Sequence, residues 1–322
     1  MTVRTMRRLI DQIEMGAMPQ VVVDAAERWD AAAPRHFRSS ANHVFRVLHE
    51  GRARFLRLAP GSERSSAGIR AELDFVLHAA RAGVLVARPL PSSRGLLVEE
   101  LSDREEIYYA VLFDNLEGKE HDIDGLDRPM IRAWGRTLAS LHVASETLPA
   151  QPARARWPNV LLDVLQMLPA GETAVAGALR SGLACLQTLP LGEHGLLHGD
   201  LELDNVRWDH GRPHVLDFDG AFYGPRAIDV AIALGDVLNG PVAARDERVS
   251  RFLDGYAEVR RPPAGTELLP RLARLVTAVK VADLLRAYAG LDEDGAPEWL
   301  SALRARHRRW LDTSRSQLAD LP

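Results

Sequence analysis

The chain has 322 residues, 46% of them hydrophobic, with 40 basic and 44 acidic side chains and a formal net charge of −4. That apolar content is enough to bury a sizeable core, in one large domain or two lobes, and it excludes disorder as the default state. The slightly acidic balance excludes a broad electrostatic pull toward nucleic acid or anionic lipid and fits a small polar substrate better.

At the N-terminus, residues 4–15 and 21–32 have helical spacing, but Asp11 and Glu14 interrupt the place where a signal peptide would need its apolar core. No apolar stretch approaches the roughly 18 residues of a membrane helix, so the expectation is a cytoplasmic protein. From His36 to Leu58 the pattern reads as two strands turning at His49-Glu50-Gly51. Residues 64–82 put Ile69, Leu73, Val76 and Leu77 on one helical face, with Gly83 as the stop. Two more strands, VARPL and GLLVEEL, are joined by Pro91-Ser92-Ser93-Arg94, and YYAVLF over 108–113 makes a fifth.

After Asn115-Leu116-Glu117-Gly118 the pattern turns helical. Ile131, Trp134, Leu138 and Leu141 form one buried stripe, and further helices are expected over 159–168, 172–189, 226–238, 244–258, 266–290 and 297–316. The lone cysteine, Cys185, sits in an apolar helical run and reads as core. One β island, 195–217, interrupts the helices. The expected division is an N-terminal lobe over 1–113, a hinge-like connector over 114–118, and a C-terminal lobe over 119–322.

The island reads GLLHGDLELDNVRWDHGRPHVLDFDG. A hairpin folded about Gly211 would set Asn205 across from Asp217, and an amide oxygen with a carboxylate is a hard-oxygen pair suited to magnesium. Asp200, five residues earlier in a polar loop, adds a carboxylate placed to accept the proton of an attacking hydroxyl. His198-Gly199-Asp200-Leu201-Glu202-Leu203-Asp204-Asn205 followed by Leu216-Asp217-Phe218-Asp219 resembles the aminoglycoside phosphotransferase family, which includes choline and homoserine kinases and shares the protein-kinase-like fold.

The resemblance implies an α+β, bilobal fold: an antiparallel five-stranded sheet with one helix, then a larger, mainly helical lobe with a small β-hairpin insertion. It implies ATP and Mg2+ as cofactors, Asp200 as catalytic base, and Asn205 and Asp217 as metal ligands. His198 would brace the loop and Asp229 hold it from below, although a carboxylate opening a helix is equally what the helix dipole favours. In the first lobe, Ser39-Ser40-Ala41-Asn42 resembles the nucleotide-covering loop, without its glycines. Arg57 stands where many members carry a phosphate-binding lysine, with Glu72 as its ion-pair partner, and Phe113, Asn115 and Leu116 resemble the hinge that meets the base. Arginine for lysine is a departure, since a planar fork replaces a point charge.

Rival readings are weaker. His194 and His198 lack a third soft ligand for zinc, and there is no G-x-S-x-G elbow of a hydrolase. RARHRRWLD reads as a solvated helix face with Trp310 inward, and Trp134 and Trp208 as packing residues. A pseudokinase, a regulatory nucleotide-binding module and a bacterial Ser/Thr protein kinase are the alternatives to a small-molecule kinase. Glu202, Asp204 and Asp219 add negative charge beside the inferred site and suggest an amino alcohol or amino sugar as acceptor. The resemblance also implies that helices around 131–142 and 266–316 supply the acceptor wall.

Overall fold

The computed structural model describes residues 3–39, 42–103, 106–239, 242–289 and 298–319. The elements run Val3–Glu14 (α1), Gln20–Glu27 (α2), Ala32–Ser39 (β1), His43–His49 (β2), Arg52–Pro60 (β3), Ser66–Arg81 (α3), Pro89–Leu90 (β4), Glu99–Asp103 (β5) and Glu106–Phe113 (β6). They continue with Arg128–Thr147 (α4), Trp157–Met167 (α5), Thr173–Gln187 (α6), His194–Leu197 (β7), Val206–Asp209 (β8), Arg212–Val215 (β9) and Phe222–Pro225 (β10). The last are Arg226–Ala233 (α7), Gly235–Leu238 (α8), Val242–Ala257 (α9), Leu269–Tyr288 (α10) and Glu298–Ala319 (α11). Among the described residues no helix is long and apolar enough to cross a membrane.

The described residues up to Lys119, with Leu148–Arg154 and Arg207–Asp219, form one compact unit, and the remainder forms a second. In the first unit an antiparallel sheet runs β1-β2-β3-β6-β4, with β5 also paired to β6. One face carries Phe45, Leu56, Leu58, Tyr108 and Leu112, covered by Leu9 of α1, Val21, Val22, Ala25 and Ala26 of α2, and Trp29. On the other, Ala59 and Val111 pack with Ile69 and Leu73 of α3. Ser65 caps α3, its hydroxyl accepting the Gly68 N–H at 3.1 Å.

The α+β plan is as expected, but the sheet has six strands where the apolar pattern suggests five, and three helices pack on it instead of one. The added strand is β1, which lies at the edge, is exposed along most of its length, and is interrupted by two register shifts. An edge strand without a buried face has no alternation to betray it. Conversely, VARPL contributes only the two residues of β4.

In the second unit, β7 and β10 form a two-stranded ribbon with Leu197 opposite Phe222. The strand β10 is four residues ending in Pro225, too short for a period-two signal. The expected helix over 226–238 divides at Leu234 into α7 and α8. Cys185 is buried. Helices α4 and α9 approach so closely that each offers the other a glycine: a methyl on Gly135 would overlap the Phe252 carbonyl oxygen, and one on Gly255 that of Arg132. Gly177 in α6 has nothing within 4 Å of such a methyl.

The two kinds of glycine predict opposite signs. Gly135→Ala and Gly255→Ala should each lose about 1–3 kcal/mol by overpacking. Gly177→Ala should gain about 0.5–1 kcal/mol from helix propensity. Urea denaturation of the three variants checks both.

Candidate active site

In the first unit, Arg57 lies in β3, 7% exposed. Its Nη1 donates to Glu72 Oε1 at 2.6 Å and its guanidinium lies 4.9 Å over the Phe113 ring. The other Glu72 oxygen accepts from Arg64 Nη2 at 3.0 Å. Arg64 reaches onward: its Nη1 donates to Asp219 Oδ2 at 2.7 Å, an oxygen that also accepts from Asn42 Nδ2 at 2.9 Å. Arg154 donates to the Asp219 backbone carbonyl at 2.9 Å. Burial alone would raise the Asp219 pKa, but Arg64 and Arg57, with the Asn42 amide, hold it below the usual carboxylate range.

Asp217 differs. It follows β9 with φ +56°, a left-handed conformation uncommon outside glycine. Its Oδ2 accepts from Arg38 Nη2 at 3.4 Å, while Oδ1 is buried and has no hydrogen-bond partner among the described residues, Arg57 Nη1 being 3.9 Å away. Burial, then the charge of Asp219, pushes the Asp217 carboxyl up to about 6 against the opposing pull of Arg57. Arg57 Nη2 is likewise buried without a partner. A cavity of about 130 Å³ is lined by these two residues and Glu72, with Val44, Val76, Ala87, Phe113, Asn115, Leu116 and Leu216 among its walls.

Ser39, at the end of β1, shares its hydroxyl between His36 Nε2 at 3.0 Å and His43 Nδ1 at 2.8 Å. Burial lowers the His43 pKa to about 4, so the ring stays neutral. Ser40 lies outside the described residues.

In the second unit, β7 runs into His198-Gly199-Asp200. Gly199 has φ +82°, and a methyl there would overlap the Gly220 carbonyl oxygen, so glycine is required twice over. The fully buried Asp229 carboxylate accepts the backbone N–H groups of His198 and Gly199, both at 2.9 Å. His198, also fully buried, accepts the Asp200 N–H on Nδ1 at 3.2 Å. Asn205 then clamps the half-buried Asp200, donating from Nδ2 to its Oδ2 at 2.7 Å and to its backbone oxygen at 2.9 Å. With its nitrogen so engaged, Asn205 presents its amide oxygen as an acceptor. The loop thus holds one carboxylate in a fixed orientation, the arrangement a general base requires.

Residues 35–269 match the model of the phosphotransferase enzyme family (APH). The chain belongs to this family. It is an enzyme of the small-molecule kinase type, a phosphotransferase acting on a hydroxyl. Amicoumacin kinase of Bacillus subtilis (strain 168) is 27% identical over 273 residues, covering 80% of this chain and 81% of that one. Among solved structures, amicoumacin kinase hAmiN in complex with AMP-PNP, Ca2+ and Ami has a TM-score of 0.79 at 21% identity, covering 97% of this chain and 98% of that one. A microcompartment-associated aminopropanol kinase has a TM-score of 0.70 at 22% identity, with 93% and 96% covered.

Several partners in this phosphotransferase are absent from the sequence reading. Lys280 of α10 lies 2.5 Å from Glu202 Oε1. Burial raises the Glu202 pKa, with Lys280 acting against it and Asp204 and Asp236 with it. Asp204 is exposed. Arg64 and Lys280 are joined to their acids by no regular spacing, so no sequence signal marks them. His142 bonds to Asp229 at 3.0 Å. It does carry a signal, falling four residues after Leu138 on the apolar stripe of α4, where a polar residue needs a reason.

Burial, the largest influence on Asp229, acts to raise its pKa, but His142, His198 and the Gly199 N–H outweigh it and the pKa is lowered. A depressed carboxylate stabilises the fold above its unfolded pKa of about 4 and loses that contribution as pH falls through the folded value. Asp229→Asn should therefore cost about 3 kcal/mol near pH 7 and progressively less as pH falls below about 4, read from denaturant melts across that range.

Proposed function

We propose that the enzyme transfers the γ-phosphoryl group of ATP, with a divalent cation of the Mg2+ type, to the hydroxyl of a small amine-bearing alcohol. The observation that carries this reading is the Asp200–Asn205 clamp, in which one side chain fixes a carboxylate and turns its own amide oxygen outward. Asp200 orients the acceptor hydroxyl and takes its proton. Arg57 and Glu72, with Phe113 and Asn115 at the cavity wall, serve the nucleotide.

The donor chemistry fits a hard cation. Asp217 carries a buried carboxylate oxygen without a partner among the described residues, and a positive ion would remove the cost of leaving it so. Among the described residues no group of three or more His, Cys, Asp or Glu is arranged for a metal. Magnesium takes one or two protein oxygens and fills its other positions with water and phosphate. Asp217 and Asn205 would supply those oxygens, and the ion would screen the triphosphate charge.

The amine preference draws on the relatives, an amicoumacin kinase and an aminopropanol kinase, and on Asp204 in the catalytic loop, while Glu202 is already paired with Lys280. Asp219 contributes less than its charge suggests, because Arg64 and Asn42 already occupy it. Ser39 is engaged by two histidines, so its backbone, not its hydroxyl, is the part left for a nucleotide.

Asp200→Asn should lower kcat by about 10²–10⁴-fold with the nucleotide still bound, measured as initial rate and as nucleotide-dependent melting shift. ATP with Mg2+ should raise Tm by linkage, and Asp217→Asn should remove most of the magnesium-dependent part; a shift that survives intact assigns the metal elsewhere. In a panel of acceptors, amino alcohols and amino sugars should outrun neutral and anionic alcohols in kcat/KM. Equal rates across the panel would refute the amine preference.

A further inference from the structure

The second unit buries a series of polar groups behind the catalytic loop. Tyr256 of α9, His142 of α4 and Asp229 of α7 are each 0% exposed. Tyr256 Oη and His142 Nδ1 are 2.6 Å apart, and His142 Nε2 and Asp229 Oδ2 are 3.0 Å apart. The Asp229 carboxylate then accepts the His198 and Gly199 N–H groups.

Proton positions follow from what each group can do. An ionised carboxylate only accepts, so His142 Nε2 carries the hydrogen. A neutral imidazole then has a bare Nδ1, which accepts the Tyr256 O–H. Burial lowers the His142 pKa against the pull of Asp229, and the positive charges of Arg226 and Arg260 act with burial, so the ring stays neutral. Burial also raises the Tyr256 phenol, which keeps its proton. Every bond in the series therefore points the same way, from Tyr256 toward the loop.

Asp229 receives three donors: Gly199 N–H on Oδ1, and His198 N–H with His142 Nε2–H on Oδ2. Three donors on two oxygens fix the carboxylate plane as well as its place. Apolar residues of similar volume would fill the same space without the desolvation cost of a tyrosine and a histidine. The reciprocal glycine contacts of Gly135 and Gly255 hold α4 and α9 close enough for Tyr256 to reach His142.

We propose that His142 and Tyr256 are positioning residues for phosphoryl transfer, fixing the orientation of Asp229 and through it the loop that carries Asp200. The proposal rests on the reading of Asp200 as the residue that orients the acceptor hydroxyl. Losing the Tyr256 hydroxyl removes the bond that anchors Nδ1, so the ring can rotate and carry its Nε2–H off the line to the carboxylate. A carboxylate short of one donor turns, and the loop turns with it.

The test combines kinetics with NMR on the full-length protein. Tyr256→Phe and His142→Leu should lower kcat about tenfold, with KM for ATP within about twofold of the parent, and should move the Gly199 amide resonance. His142→Gln keeps an N–H near the Nε2 position and should recover most of kcat. A kcat within about twofold of the parent in folded Tyr256→Phe and His142→Leu, or an equal loss in His142→Gln and His142→Leu, overturns the proposal. The parent protein gives a check that needs no variant to fold: its His142 nitrogen resonances should be those of the Nε2–H tautomer, and the Nδ1–H tautomer overturns it. The tautomer and the Gly199 resonance do not depend on what Asp200 does, so failure here is distinct from failure of the Asp200 assignment.

Discussion

A carboxylate shut away from water must be surrounded by donors, and the second unit is organised around meeting that demand at Asp229. Fully buried, it would cost several kcal/mol if left uncompensated. Compensation comes from two consecutive backbone N–H groups, His198 and Gly199. Two successive amides converge on one carboxylate only if the chain bends sharply between them, which the left-handed φ of Gly199 allows. The bend ends the pairing of β7 with β10 and delivers Asp200 to a loop position where Asn205 clamps it. A single buried charge thereby sets the conformation of the segment that carries Asp200.

The first unit handles its acids differently. Glu72 and Asp219 are each met by more than one donor, and Arg64 bridges the two. Asp217 has Arg38 and Arg57 beside it, yet keeps a buried oxygen without a hydrogen-bond partner among the described residues. The charge of Asp219 opposes ionisation of Asp217. The arginines secure Asp219, and the strain of the pair falls on Asp217, whose pKa is pushed up to about 6. A divalent cation held there, as proposed, would favour the charged form and satisfy the bare oxygen together.

The residues that identify the loop were legible because their chemistry and spacing lie in one continuous segment, His198 to Asp219, read as loop and hairpin. The pair Arg57 and Glu72 was legible too, because strand and helix are short and consecutive, and they meet at 2.6 Å. What escaped are the partners that only folding brings together. Arg64 joins Asp219 across 155 positions and Lys280 joins Glu202 across 78, and nothing in either neighbourhood marks them. Edge strand β1 escaped because it buries no face, and β10 because four residues show no period. Asp229 read equally as a helix-opening charge and as a brace. Its bonds go to His198 and Gly199, and a helix position alone does not reveal where an aspartate points.

Arginine at position 57 is intelligible within this arrangement. A lysine ammonium bonded to Glu72 would turn its remaining donors in directions set only by its flexible stem, whereas a guanidinium held by Glu72 at Nη1 has Nη2 fixed by the same plane. Phe113 fixes that plane further by lying 4.9 Å beneath it. Arg64 completes the arrangement by taking the second Glu72 oxygen, so the carboxylate cannot bind Arg57 through both arms and draw Nη2 away from the cavity. Nη2 stays buried and without a partner, an expensive state for a donor that never loses its charge. An anionic group entering the cavity relieves that cost and meets a donor already oriented. The price of the substitution is a cavity built around a larger, flat cation, and the adjoining walls of Val44, Val76 and Phe113 give that plane its bounds.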